Sequence, residues 1–189
     1  MRAITKIGDR SLRTKCRALR SAELKSRSMG AFRARMIRAM RRASGVGLAA
    51  NQVGRSIRLA VLECRANPRY PGRKPFALEV LINPRIVRAS KRIQCGWEGC
   101  LSIPGYRGLV PRAAEVTVEA RTPEGARIRR TYKGFHARVL QHEVDHLDGL
   151  FYLDRLRRPR DWLHLDVYNK KFRSRISDGS GSVYNIKDH

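Results

Sequence analysis

The chain has 189 residues, of which 42% are hydrophobic, and 41 basic against 16 acidic residues give it a net charge of +25. This length suits one domain with its own core, and no linker or internal repeat divides it. Four cysteines without a secretory signal favour a reducing compartment, and no apolar run reaches the length of a membrane span. The charge favours a polyanionic neighbour such as ribosomal RNA, although a solvated basic surface explains it equally well.

The N-terminal quarter of the chain predicts an irregular arm followed by a helix. Residues 1–22 contain turn formers at Gly8 and Asp9. A helix is expected from Ser21 to about Ala43, because apolar residues recur there at steps of three and four. Its outer face carries five arginines: Arg33, Arg35, Arg38, Arg41 and Arg42.

The segment GVGLAANQVG, residues 45–54, follows this helix directly. Its glycines end a helix, whereas the dinucleotide fingerprint opens one after a strand, so that type of site is excluded. Either the glycines let the backbone approach another group closely, or they mark a helix stop and a turn.

The middle of the chain predicts short strands. Residues 57–63 read as a buried strand, and a proline-rich loop follows at residues 67–74. Short extended segments are expected at 80–82 and 86–87, separated by Asn83-Pro84. WEGCLSIPGYRG, residues 97–108, is expected to be loop-like at both ends with residues 101–103 extended. Residues 114–120 and 126–132 predict a hairpin around a turn at 122–125.

The stretch QHEVDHLDG, residues 141–149, predicts a metal-binding helix. His142 and His146 are four residues apart, so they lie on one helix face and can reach one ion. Glu143 flanks that ion without being a ligand, which is the position of a hydrolytic base. Gly149 is expected to end the helix in the left-handed conformation. The alternative is an ordinary helix on which these residue types coincide by chance.

Two histidines need a further ligand, and two metalloprotease patterns are excluded. The metzincin position for a third histidine is Tyr152, and Glu143 is the last glutamate in the chain. The cysteines, aspartates, His136 and His164 remain open. A closed structural zinc site in a basic RNA-binding module is the alternative, and it would leave no position for water. Its ligands would be Cys95, Cys100, His142 and His146.

The segments GVGLAANQVG, WEGCLSIPGYRG and QHEVDHLDG, in this order and spacing, resemble the three signature motifs of peptide deformylase. ITKIGDRSLR resembles the opening of the mature family domain, and GFHARVLQHE is similar to the organellar-like branch. The resemblance covers about residues 3–156. It implies an α+β single domain, with antiparallel sheets packed around a central metal-binding HExxH helix. The expected organisation is a catalytic domain, residues 1–156, and a basic, partly disordered tail, residues 157–189.

The resemblance also implies a function. The enzyme would be a metallohydrolase that removes the N-formyl group from the formyl-methionine of new polypeptides and releases formate. Its cofactor would be one divalent ion, Fe²⁺ in the cell, replaceable by Zn²⁺, Ni²⁺ or Co²⁺. A cytoplasmic location of the bacterial type is expected in preference to an organelle, without a membrane partner.

The resemblance assigns roles to particular residues. The implied metal ligands are Cys100, His142 and His146, with water as the fourth. The implied catalytic residues are Glu143 as general base, and the Gln52 side chain and Leu101 N–H as donors to the oxyanion. The implied substrate-binding residues are Val46, near the methionine side chain, and Gly47 and Gly99, where the peptide backbone would lie as an added strand.

The C-terminal region lacks the long amphipathic helix with which some family members dock on the ribosome. Weak, salt-sensitive association with the ribosome or ribosomal RNA is expected instead through basic patches. These are the arginine face of the first helix and the basic segment Arg157, Arg158, Arg160, Lys170, Lys171, Arg173 and Arg175.

Overall fold

The computed structural model describes residues 3–65 and 72–172. The helices in this part of the chain are α1 (Ser21–Leu24), α2 (Arg27–Arg42), α3 (Gly134–Leu147) and α4 (Leu165–Phe172). The strands are β1 (Gly47–Ala49), β2 (Leu59–Cys64), β3 (Phe76–Ala89), β4 (Ile93–Cys100), β5 (Ile103–Ala113), β6 (Glu115–Arg121), β7 (Arg127–Lys133) and β8 (Trp162–His164). Short 3-10 turns occur at Arg10–Arg13, Ala50–Val53, Tyr152–Arg155 and Pro159–Asp161.

The strands form two antiparallel sheets, one of order β1-β2-β3-β6-β7 and one of order β4-β5-β8. Side chains alternate between the two faces of a strand, so one face of the larger sheet buries Ala60 and Leu62 with Leu140 and Val144 of α3. The other face buries the intervening Val61 of β2 with α2. Helix α3 also contacts β5 of the smaller sheet. The predicted α+β class is therefore confirmed, with the HExxH helix between two antiparallel sheets.

Several predicted elements are present at the expected places. The hairpin of β6 and β7 turns at residues 122–125, where the Gly125 N–H donates to the Thr122 carbonyl at 2.9 Å. Helix α3 ends before Gly149, whose φ is +79°, and a side chain there would overlap the Arg13 carbonyl. Glycine is thus required both by the backbone conformation and by this contact.

Three local predictions were wrong. The first helix is interrupted at Lys25 and Ser26, where Ser26 Oγ accepts from the Met29 N–H at 3.2 Å and begins α2. Strand β3 continues through Asn83, because this residue takes a φ of +53° at a register shift. Residues 97–108 form most of the hairpin of β4 and β5, and its turn lies at 101–102, where an extended segment was expected.

The predicted tail begins with ordered structure. Strand β8 pairs with β5, and α4 packs the rings of Tyr168 and Phe172 at 5.2 and 5.3 Å from Trp97. Residues 173–189, and residues 66–71 of the proline-rich loop, lie outside the described residues. The division at residue 156 stays a prediction. No helix in residues 3–65 and 72–172 has the length and apolar character needed to cross a membrane.

Candidate metal centre and substrate pocket

Strand β4 and helix α3 bring one cysteine and two histidines together. Cys100 is the last residue of β4, and His142 and His146 lie on successive turns of α3. Their ligand atoms all lie within 4.8 Å of one another, with 3.1 Å between Cys100 Sγ and His146 Nε2. All three residues are buried. The chain thus assembles three potential ligands across a separation of 46 residues.

Neighbouring groups orient both histidines. His142 Nδ1 lies 2.8 Å from Glu98 Oε2, which leaves Nε2 of the same ring for an ion. A residue from another segment also fixes the backbone at His146: Asn51 Nδ2 donates to the His146 carbonyl at 2.7 Å. The ligand helix is therefore fixed both at a side chain and at its backbone.

A buried ionic network holds Glu98. Arg112 donates to both carboxylate oxygens of Glu98, at 2.9 and 3.0 Å, and Arg138 donates to Oε1 at 2.8 Å. Arg112 also pairs with Asp145 of α3, and Asp145 binds Arg155 at 2.8 Å. Burial alone would raise the pKa of Glu98, but the Arg112 charge and the His142 hydrogen bond outweigh it and hold this pKa well below its usual range. Glu98 is therefore an anion that accepts from the His142 ring.

Neighbouring groups also favour the thiolate form of Cys100, which is the form that binds a metal ion. Its burial would raise the pKa of Cys100, but the adjacent imidazoles of His146 and His142 outweigh this effect and place the pKa well below its usual range. A thiolate and two imidazoles form a donor set that suits Fe²⁺, Zn²⁺, Ni²⁺ or Co²⁺. His146 Nδ1 and Glu143 Oε2 are buried without a hydrogen-bond partner in the described residues. The residues present therefore fit one divalent ion.

Glu143 lies beside this group and faces the GVG segment. Burial raises the pKa of Glu143 to about 7. A Cβ at Gly47 would come within 2.8 Å of Glu143 Cδ, so only glycine leaves room for the carboxylate. The missing side chain of Gly47 thus accommodates Glu143, and the expected contact of Gly47 with the substrate backbone stays a prediction.

Gln52 is fixed in orientation near Cys100. The Ala49 N–H donates to Gln52 Oε1 at 2.8 Å, so Nε2 points the other way, toward Ser102 Oγ at 3.0 Å and Cys100 Sγ at 3.6 Å. Leu101 follows Cys100 in the turn between β4 and β5, and its carbonyl accepts from Lys6 Nζ at 2.8 Å. Both predicted oxyanion donors thus lie next to the cysteine.

An open pocket adjoins the group of ligands. Its apolar lining consists of Val46, Trp97, Leu101, Phe135 and Val139, and its polar lining includes Gln52, His142 and Glu143. Gly47, Gly99 and Cys100 complete the wall, while His146 is fully buried behind it. The nine residues predicted for the site therefore lie in or directly behind one pocket. As at Gly47, the missing Gly99 side chain accommodates a neighbour, because a Cβ there would lie 3.0 Å from Arg107 Cζ.

The other candidate metal ligands from the sequence lie outside the ligand group. Cys95 is not part of the group of ligands found in the described residues, so the closed Cys2His2 site is not supported. His136 stacks on Phe76, and His164 lies on β8.

Sequence reasoning missed the groups that support the ligands: Glu98, Arg112, Arg138 and Asp145. Glu98 stands two residues before the cysteine in WEGC, which was the one available signal.

Comparisons with known proteins agree with this geometry. Residues 1–162 match the polypeptide deformylase family. Peptide deformylase 1 of Bordetella pertussis is 47% identical over 122 residues, covering 65% of this chain and 69% of the relative. Peptide deformylase of Roseiflexus castenholzii is 46% identical over 153 residues, covering 77% of this chain and 81% of the relative.

Solved structures show the same fold. The Met-Ala-Ser-bound class I type b peptide deformylase from Acinetobacter baumannii has a TM-score of 0.80 and 36% identity, covering 82% of this chain and 98% of that one. The peptide deformylase from Synechococcus elongatus in complex with actinonin has a TM-score of 0.74 and 33% identity, covering 89% and 84%. With its ligand group, its adjacent carboxylate and these relatives, the chain belongs to the polypeptide deformylase family, metal-dependent hydrolases that remove the N-formyl group from nascent polypeptides.

Proposed function

We propose that Cys100, His142 and His146 hold a single divalent ion, Fe²⁺ in the cell, and that Glu143 is the base and acid of deformylation. The observation that carries this assignment is the buried group of three ligand atoms within 4.8 Å, beside a Glu143 oxygen that has no hydrogen-bond partner in the described part of the chain. When bound, such an ion supplies Lewis acidity, which makes water nucleophilic near neutral pH and polarises a carbonyl.

The residues of the chain then manage protons and charge. Glu143 takes a proton from the attacking water and delivers it to the amine nitrogen as the C–N bond of the formamide breaks, which gives formate and a free N-terminus. The Gln52 amide and the Leu101 N–H donate to the oxyanion that develops on the formyl oxygen. Each such donor contributes about 3 kcal/mol to transition-state stabilisation. The hydrogen bond from Ala49 to Gln52 Oε1 supports this role, because it presents the donating end of the amide.

The pocket lining supports formyl-methionine as the substrate end. Val46, Phe135 and Val139 present apolar surface next to the ligand group, and an unbranched thioether side chain adapts well to such surfaces. The Met-Ala-Ser-bound relative agrees with this assignment. Gly47 and Gly99 line the same wall, and we propose that the peptide backbone passes along it.

Release of formate tests this function directly. Protein reconstituted separately with Fe²⁺, Zn²⁺, Ni²⁺ and Co²⁺ is assayed on formyl-Met-Ala, with bound metal measured in each sample. Acetyl-Met-Ala, in which a methyl group replaces the formyl hydrogen, is the matched control, and release of its free amine is measured because its hydrolysis would give acetate. Fully loaded protein that releases no formate with any of the four ions would overturn the proposal, and the rank order of activity identifies the preferred ion.

We also propose a cytoplasmic location, where nascent chains are made, and weak association with ribosomal RNA through basic patches. The bacterial relatives support the location. The arginine face of α2 gives only partial support, because Arg41 pairs with Glu63 at 2.7 Å and Arg33 donates to the Leu24 carbonyl at 2.9 Å. In the second patch, Arg158 pairs with Asp161, and Arg173 and Arg175 lie outside the described residues. Co-sedimentation with ribosomes at about 50 mM salt tests the association.

A further inference from the structure

The larger sheet carries a second concave surface besides the substrate pocket. An open groove of about 770 Å³ lies between the N-terminal arm, the β2–β3 region and the hairpin of β6 and β7. Among residues 3–65 and 72–172, none lines both this groove and the substrate pocket. Six cations line it: Lys15, Arg58, Arg85, Arg121, Arg127 and Arg129.

Strand register explains why these cations gather on one face. Arg121 pairs with Ile82 of β3, and Ile82 packs in the core under α2, so Arg121 points to that face of the sheet and away from α3. Arg127 is its neighbour on β7 and shares this direction. One pair further along, Glu119 stands between Arg85 and Arg129. The groove therefore occupies the part of this face that extends beyond α2.

The groove has a surplus of positive charge. Its two carboxylates are both engaged, Glu119 with Arg85 at 3.2 Å and with Arg129 at 3.6 Å, and Asp148 with Arg58 at 2.5 Å. Lys15, Arg121 and Arg127 have no carboxylate within ion-pair distance among the residues that the structure describes. Lys15 and Arg127 are also exposed, so solvent or an anion must satisfy them.

The spacing suits a chain of phosphates more than a single anion. Neighbouring strands lie about 4.8 Å apart, and side chains on one face of a strand repeat at about 6.6 Å. Cations at such intervals along a groove can neutralise successive phosphodiesters and release their counterions. Ala18 is among the lining residues, and its small side chain leaves space between the cations.

We propose that this groove binds the phosphate backbone of single-stranded RNA without reading its sequence. No aromatic side chain lines the groove in the described part of the chain, so base stacking contributes nothing there. An anionic membrane fits less well, because the surface is concave and its cations surround no exposed large apolar side chain. For its class of ligand the inference rests on the RNA association proposed above, and it adds the groove to the basic patches named there, as the surface that contributes more to binding. The proposed RNA binding does not require deformylation, so formate release serves as the control for folding.

The test is fluorescence anisotropy of a labelled 12-nucleotide oligouridine with the metal-loaded full chain, between about 50 and 200 mM salt. The variant is Lys15→Glu/Arg127→Glu, which reverses two exposed cations on opposite sides of the groove. The matched control, Arg38→Glu/Arg42→Glu, reverses two exposed cations on α2. The groove variant should weaken binding at least about tenfold and lower the log–log salt slope by about 1.4, since each contact to a single strand contributes about 0.7. The fold-loss of affinity in the α2 variant should be less than about a third of the fold-loss in the groove variant.

Equal loss in the two double variants, or unchanged affinity in the groove variant, overturns the proposal. The proposal is also overturned if the groove variant no longer binds phosphatidylserine vesicles but still binds RNA, because the groove would then be a membrane-binding surface. Formate release within twofold of the unsubstituted chain shows that both variants fold. If the charge reversals prevent folding, Lys15→Ala/Arg127→Ala replaces them, with an expected loss of about threefold and the same salt analysis. Failure of formate release in the unsubstituted chain would concern the deformylation proposal alone.

Discussion

Glu98 and His142 are joined by a contact of 2.8 Å between a carboxylate oxygen and the ring nitrogen that faces away from the ligand group. Two arginines hold the carboxylate in this position. The carboxylate thus fixes both the ring orientation and the nitrogen left for an ion.

For this reason Glu98→Gln should weaken metal affinity by about 10- to 100-fold, the usual effect of losing such a partner. It should also lower the free energy of unfolding, because Arg112 and Arg138 lose a buried anion. Competition with a chelator measures the affinity. Glu119→Gln is the matched control, since Glu119 also pairs with two arginines, but on the surface. Equal affinities in Glu98→Gln and the unsubstituted chain would remove the orienting role.

Glu143→Ala should keep the metal and lose hydrolysis by 10²-fold or more, because it removes the proton carrier and no ligand. Glu143→Gln should have a melting temperature equal to or above that of the unsubstituted chain, since a neutral amide avoids the cost of burying a charge. Metal content, melting temperature and formate release are measured on the same samples. Retention of more than about a tenth of the turnover would exclude Glu143 as the proton carrier.

Cys100→Ser should lower metal occupancy sharply, whereas Cys95→Ser should leave it unchanged, because only Cys100 belongs to the ligand group. Elemental analysis after dialysis against a weak chelator measures the difference. Equal metal loss in the two variants would restore the closed Cys2His2 site.

Gly47→Ala should lower turnover by about 10²-fold while metal content stays constant, because its Cβ would displace the Glu143 carboxylate, and a shift of about 1 Å at a catalytic group costs that much. Gly30→Ala is the control. Gly30 lies within α2 with free space around its Cα, so alanine there should stabilise the fold by about 1 kcal/mol without affecting turnover. Unchanged kcat in Gly47→Ala would show that Glu143 can act from a displaced position.

Acid stability should depend on Glu79. Burial would raise the pKa of Glu79, but the His136 ring at 3.1 Å, the hydrogen bond from Tyr132 and the nearby Arg130 outweigh it and lower this pKa below its usual range. A lowered pKa in the folded state stabilises the protein above the unfolded-state pKa, and this contribution is lost as the pH falls through the folded-state value. Glu79→Gln should therefore be more destabilising at pH 7 than at about pH 2. Urea unfolding at the two pH values measures this, and an equal effect at both would contradict it.

Sequence periodicity located α2, α3 and the hairpin of β6 and β7, because each of these depends on local patterns of apolar residues and turn formers. It failed for β4 and β5, where Gly99, Pro104 and Gly105 suggested loops although the pairing partner across the hairpin decides the conformation. It also missed β8, which pairs with β5, and α4, whose Tyr168 and Phe172 contact the distant Trp97.

The site was predictable to a greater extent than the strands, because three short motifs carry its ligands and the neighbouring polar groups. Their supporting residues were not. Arg112 and Arg138 look like two of many arginines in a basic chain, and only the fold shows that both are directed at Glu98. The closeness of Gly47 to Glu143 and of Gly99 to Arg107 was not predictable, because these neighbours come from other segments of the chain.

The contacts that join the segments around the ligand group are distant along the chain. Cys100 meets His146 across 46 residues, and Asn51 reaches His146 and Lys6 reaches Leu101 each across 95. Closing such loops costs chain entropy before any contact compensates, which is typical of slowly folding topologies. A chain folded only in its local segments therefore offers an ion at most the two histidines of α3. Binding with all three ligands therefore requires the complete fold. A bound ion stabilises the folded chain relative to partly folded states, because only the folded chain offers all three ligands.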